Sequence, residues 1–123
     1  FYGLYVWRHP QQPDLDSAMA QFNQAVYNYM QGPSEFTITG TLKTWTALPW
    51  LGTIAVPTLF TVGEFDEVGP DLVRQHATLI PGARYELLAG SAHLTPWDAR
   101  EANVRVVREF LRVVDSMAPA PAP

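Results

Sequence analysis

Two short stretches of the chain hold the residue types from which a proton relay is built. "GEFDEVGP" supplies Glu64, Asp66 and Glu67, and "GSAHLTPW" supplies His93. A carboxylate that accepts one ring N–H of a histidine fixes its tautomer and stabilises the imidazolium. The second ring nitrogen then takes the proton of a hydroxyl nucleophile and returns it to the leaving group. Taken singly, each residue has a plainer explanation. An Asp in a Gly-flanked loop commonly serves turn chemistry, and a lone His after a strand is often structural. Glu64, Asp66 and Glu67 also invite comparison with a hard-cation site. Such loops, however, alternate their ligands around a central Gly and supply more than three oxygens. No metal or organic cofactor is therefore expected. His9, before Pro10, and His76, on a helix face, read as structural.

A relay of this kind also needs a nucleophile, and the chain offers no ready one. Its serines are Ser17, Ser34, Ser91 and Ser116, and no G-x-S-x-G occurs. "GPSEF", from Gly32 to Phe36, comes within one residue of that signature. A nucleophile elbow sits between a strand and a helix, whereas this stretch follows a helix and leads into irregular chain. Ser34 is accordingly a poor nucleophile.

The elements that must position Asp66 and His93 can be read from patterning. Asp14 or Asp16 is expected to cap one helix running to about Met30. Leu15, Ala18, Met19, Phe22, Val26, Tyr29 and Met30 form its apolar stripe, and Gly32-Pro33 stops it. From there to Gly52 the chain reads as irregular, with threonines and Trp45 in short extended pieces. "TLFTVG" (58–63) reads as a buried strand, "DLVRQHATLI" (71–80) as a helix and "ARYELLAG" (83–90) as a second strand. Thr95-Pro96-Trp97-Asp98 reads as the start of a last helix, with Thr95 as its N-cap. "MAPAPAP" reads as a disordered tail.

Strand, loop, helix, strand, loop, helix is a parallel α/β unit, and functional groups in such sheets collect at the carboxyl ends of strands. Asp66 and His93 lie in the two loops at those ends. Their separation of 27 residues leaves room for one helix and one strand between them. Two parallel strands cannot cover themselves, so the unit calls for more strands than it contains. The expected fold class is α/β, as a C-terminal portion of a larger enzyme.

Composition narrows the field further. At 123 residues there is room for one small domain or part of a larger one. A net charge of −4 gives no electrostatic case for nucleic acid or an anionic membrane. No apolar run reaches the ~18 residues of a membrane-spanning helix. The N-terminal stretch has no signal-peptide character, and the absence of an initiator Met points to a start upstream. With no cysteine, thiolate and zinc–sulfur chemistry are excluded. That composition fits a cytoplasmic protein without requiring one.

"MQGPSEFTITGTLKTW", "IAVPTLFTVGEFDEVGP" and "GSAHLTPWDARE", in that order, resemble the proline iminopeptidase family of α/β-hydrolases, close to the tricorn-interacting aminopeptidases. The likeness runs from about Val26 to about Leu111. It implies a hydrolase core with a helical cap, and removal of an N-terminal residue, often proline, from short peptides. Residues 1–52 would be the end of the cap and the return to the core, 53–116 the last strands and helices of the core, and 117–123 a tail. On the same resemblance Asp66 is the triad acid and His93 the triad base. Glu35, in the "G-P-x-E-F" motif, and Glu67, directly after the triad acid, would hold the substrate's free α-amino group. That group, with a pKa of roughly 7.7–8.0, is largely protonated at neutral pH. Trp45, Trp50 and Phe65 are candidate contributors to the pocket for the N-terminal residue. The missing G-x-S-x-G places the nucleophile on a companion chain or on a missing N-terminal segment, and this chain alone is expected to be inactive. An amidase or esterase could use the same residues. A non-catalytic relative that binds peptides or a partner chain is the competing reading.

Overall fold

A computed structural model of the chain describes residues 1–9 and 13–117. Two compact units emerge, Phe1–Pro10 with Trp50–Pro123, and Gln11–Pro49. The first is built on β1 (Leu59–Gly63) and β2 (Arg84–Leu88), paired in parallel with Leu59 opposite Arg84 and Gly63 opposite Leu88. A parallel pair needs a crossover, and α5 (Pro70–Thr78) supplies it. Gly69 precedes that helix at a φ of 85°, a conformation open to Gly, and Pro70 then occupies the first turn, where its missing N–H costs nothing. The Tyr85 hydroxyl donates to the Pro70 carbonyl at 3.2 Å, and the Arg74 guanidinium lies 5.0 Å from the Tyr85 ring, fixing α5 over β2. The long amphipathic helix α7 (Arg100–Met117) packs on both strands.

Burial concentrates at the carboxyl ends of the strands. Val62, Leu88 and Ala92 are buried there, with Ala77, Ile80 and Val6 completing the apolar core. Full burial of both strands is not realised, since Leu87 in β2 remains 44% exposed. The helix expected from Thr95 onward is also divided. A single turn, α6 (Thr95–Asp98), is separated from α7 by Ala99 in a non-helical conformation. Leu94, not Thr95, occupies the cap position, and the Thr95 hydroxyl instead donates to Asn103 Oδ1 at 3.3 Å. A short helix over Tyr2–Tyr5, α1, has no counterpart in the sequence pattern.

The second unit holds α2 (Pro13–Ala20), α3 (Gln24–Met30) and a 3-10 turn over Thr41–Thr44. The expected single helix to Met30 is thus two helices. Asn23 Oδ1 accepts the Val26 N–H at 3.1 Å and starts α3 afresh, a role for which Asn competes strongly. α2 begins at Pro13, so Asp14 and Asp16 lie inside it rather than capping it. The stretch expected to be irregular contains that 3-10 turn, and α4 (Leu48–Leu51) lies where the chain passes between units. Apart from Met117, the expected tail lies outside the described residues.

Candidate active site

The two loops at the carboxyl ends of β1 and β2 meet. The Glu64 N–H donates to the Leu88 carbonyl at 3.1 Å, and the Phe65 N–H to the Ser91 carbonyl at 2.9 Å. Such closeness demands Gly63. A Cβ there would fall 2.6 Å from the Ser91 carbonyl oxygen and closer still to that of Ala92. Asp66 and His93 are brought together as a result, with His93 Nδ1 3.1 Å from Asp66 Oδ1. An ionised carboxylate only accepts, so Nδ1 carries the proton and donates it. Asp66 Oδ1 also accepts the Val68 N–H at 2.9 Å, which holds the carboxylate in its turn. The Asp66 side chain is 7% exposed and that of His93 44%. A shielded acid behind an accessible imidazole leaves Nε2 free to exchange a proton with an incoming group, which is the arrangement general-base catalysis requires.

The first residues of the chain brace both loops. The Tyr5 carbonyl accepts the Glu67 N–H at 3.3 Å and the His93 N–H at 3.1 Å, while the Val6 carbonyl accepts the Leu94 N–H at 2.8 Å. The Arg8 guanidinium stacks 4.1 Å over the Phe65 ring, beside the acid. Patterning missed a second carboxylate nearby, that of Asp98. Its Oδ1 accepts the N–H groups of Arg8 at 2.8 Å and His9 at 3.0 Å, and its Oδ2 that of Ala92 at 2.9 Å. His9 Nδ1 lies 3.4 Å from Oδ1. Burial is the largest influence on this carboxyl and works against its charge. The N–H groups of Arg8, Ala92 and His9 and the His9 ring together prevail, holding it below its ordinary value of 3.8. In the sequence Asp98 reads only as an acid in a helix's first turn.

The remaining candidates are distributed as follows. Glu67 is half-buried in the acid loop, with its Oε2 shielded from solvent. Glu64 accepts the Gly90 N–H at 2.9 Å, so it closes the turn after β2. Glu35 belongs to the other unit, where the Tyr27 hydroxyl donates to its Oε2 at 3.4 Å. Gly32 opens that turn at a φ of 125°, where a Cβ would collide with the Thr37 carbonyl. Ser34 and Thr37 form an isolated antiparallel bridge, and no strand-to-helix elbow surrounds Ser34. Ser91 is fully buried and donates to the Leu88 carbonyl at 2.8 Å. Trp45 and Trp50 are largely exposed, Phe65 less so. Among the described residues no helix is long and apolar enough to cross a membrane.

Comparison with known proteins resolves the kinship. No family model matches the chain. Over 119 residues, 95% of its length, it is 33% identical to a proline iminopeptidase of Saccharolobus solfataricus, and over 113 residues 36% identical to that of Thermoplasma volcanium. The crystal structure of the Mycobacterium smegmatis proline iminopeptidase superposes on 96% of the chain with a TM-score of 0.88 at 32% identity. The chain belongs to the proline iminopeptidase family of α/β-hydrolases. It spans about two fifths of the relatives it matches, 38% of each of the two sequences and 40% of the solved chain. VinJ, of known structure, is similar to it as well, with a TM-score of 0.83 and 32% identity over 92% of the chain and 39% of VinJ. The small parallel sheet with its helices is the C-terminal part of the hydrolase fold of this family of aminopeptidases.

Proposed function

We propose that this chain supplies the acid and base of a serine aminopeptidase of the proline iminopeptidase type. Asp66 orients His93, and His93 Nε2 takes the proton of a serine carried on companion or missing sequence and delivers it to the leaving amine. Glu67 binds the protonated α-amine of a short peptide or amino-acid amide through a charge-assisted hydrogen bond, and Glu35 is assigned the same role on the family resemblance alone. The observation that carries this reading is the 3.1 Å approach of His93 Nδ1 to a shielded Asp66 across two neighbouring strand ends. With no G-x-S-x-G in its sequence, the chain alone is expected to be inactive.

The test is hydrolysis of a prolyl chromogenic amide by the chain alone and together with a serine-bearing hydrolase segment from a relative. Activity is expected only with both parts present, and His93→Ala should lower it by about 10⁴-fold. Undiminished turnover in that variant would refute the relay. Tight association of the two parts with no turnover would instead favour a non-catalytic binding module.

A further inference from the structure

The backbone around His93 is held with unusual completeness. Three consecutive N–H groups, of Ala92, His93 and Leu94, donate to Asp98 Oδ2, the Tyr5 carbonyl and the Val6 carbonyl respectively. The segment that provides those two carbonyls is itself fastened to Asp98, through the N–H groups of Arg8 and His9. A closed ring of hydrogen bonds results. It runs from Asp98 through Arg8 and His9 to Val6 and Tyr5, across to Leu94 and His93, and back through Ala92 to Asp98. The Asp98 side chain is fully shielded from solvent, so water cannot replace a lost bond there. The same Tyr5 carbonyl accepts the Glu67 N–H, so the ring also fixes the residue that follows Asp66.

We propose that Asp98 is a positioning residue for His93, clamping the backbone on both sides of the ring so that the imidazole faces Asp66. Resting on the reading of Asp66 and His93 as the relay, this assigns to a third carboxylate the work of aiming it. The bonds of Asp98 go to Arg8, His9 and Ala92, and the His93 imidazole bonds to Asp66. Its effect passes through Ala92 directly and through the N-terminal segment indirectly. Asn in its place preserves shape, but its amide nitrogen must face N–H donors on one side, so at least one arm of the ring opens.

The test is Asp98→Asn, read by NMR on the chain bound to the serine-bearing segment, the state in which its strands are covered. Two signals matter: the imidazole nitrogen shifts of His93, which report its tautomer and its bond to Asp66, and backbone amide exchange. In the unmodified chain the Nδ1–H tautomer is expected. In the variant that preference should weaken, with Ala92, His93 and Leu94 amides exchanging about tenfold to a hundredfold faster. The Val62 and Leu87 ladder amides should keep their protection. An unchanged tautomer, or ladder amides losing protection by the same factor, would overturn the proposal. Should the variant fail to fold, the unmodified chain decides. Arg8, His9, Ala92, His93 and Leu94 amides must then share one opening, with exchange within about threefold of one another; separate openings refute the ring. Neither readout needs turnover. Failure here leaves the relay standing, and failure of the His93→Ala test leaves the ring standing.

Discussion

At the scale of single residues, the proposed chemistry divides between a relay and an amine site. In that proposal Asp66 is the orienting acid: its Oδ1 accepts from Val68 and His93, and its side chain is shielded. Glu35 has a different character, half-buried and accepting from the Tyr27 hydroxyl. Replacing Glu35 with Gln keeps the shape and removes the charge. Binding of substrates with a free α-amine should weaken by about 1–3 kcal/mol, whereas N-blocked substrates should change little. KM for matched free and blocked amides, measured with the complemented enzyme, checks this, and equal weakening of both would count against the amine site. The pairing of Asp66 with His93 was legible in the sequence because loop position after a strand, residue type and chain order all agreed. Asp98 was not, since an acid after Thr-Pro-Trp has a sufficient local explanation at a helix start. Only its long-range bonds to Arg8 and His9, some ninety positions away, reveal the other use.

At the scale of elements, what matters is how closely the two strand ends approach. Gly63 is the contact point, and Ala there would press a Cβ against the Ser91 and Ala92 carbonyls. These are backbone atoms inside a bonded loop and cannot yield cheaply. Gly63→Ala should therefore cost about 1–3 kcal/mol and push His93 away from Asp66. Denaturant titration should show the loss, and the His93 imidazole signals the displacement; unaltered stability would mean that the loops adjust freely. Asp98 gives the same region an acid limit. Its folded value is depressed, so its contribution is complete above the ordinary carboxylate value and disappears as pH falls through the depressed one. Amide protection of Arg8, His9 and Ala92 should collapse in that acid window, below about pH 4, whereas it should be flat from there to neutrality. A collapse already under way near neutral pH would implicate another group. Strands, crossover helix and their order were legible from apolar runs and breakers. The break between α2 and α3 was not, because the apolar stripe keeps helical spacing through Phe22. Asn23, a strong cap former, was the overlooked signal.

At the scale of the whole molecule, the parallel pair raises a question of sufficiency. Among the described residues β1 and β2 pair only with each other, so each presents an unbonded outer edge. Parallel strands are ordinarily covered on both faces, and a two-stranded sheet is at best marginally stable in water. Leu72, Leu87 and Leu111 remain exposed in the unit that holds this sheet, and among the described residues the apolar core comprises six small or medium side chains. The matched relatives devote about three fifths of their length to sequence outside the match. If that part supplies the nucleophile, it also has the means to cover these strands, so folding and catalysis should be linked. The isolated chain is then expected to unfold broadly, bind a hydrophobic dye and tolerate little denaturant. A serine-bearing segment at a hundredfold excess over its Kd should add about 2.7 kcal/mol of stability and displace the dye. Thermal unfolding followed across a titration of that segment measures both effects at once. A sharp, cooperative transition of the chain alone, unmoved by the segment, would show that the two strands suffice and that the serine must be sought elsewhere.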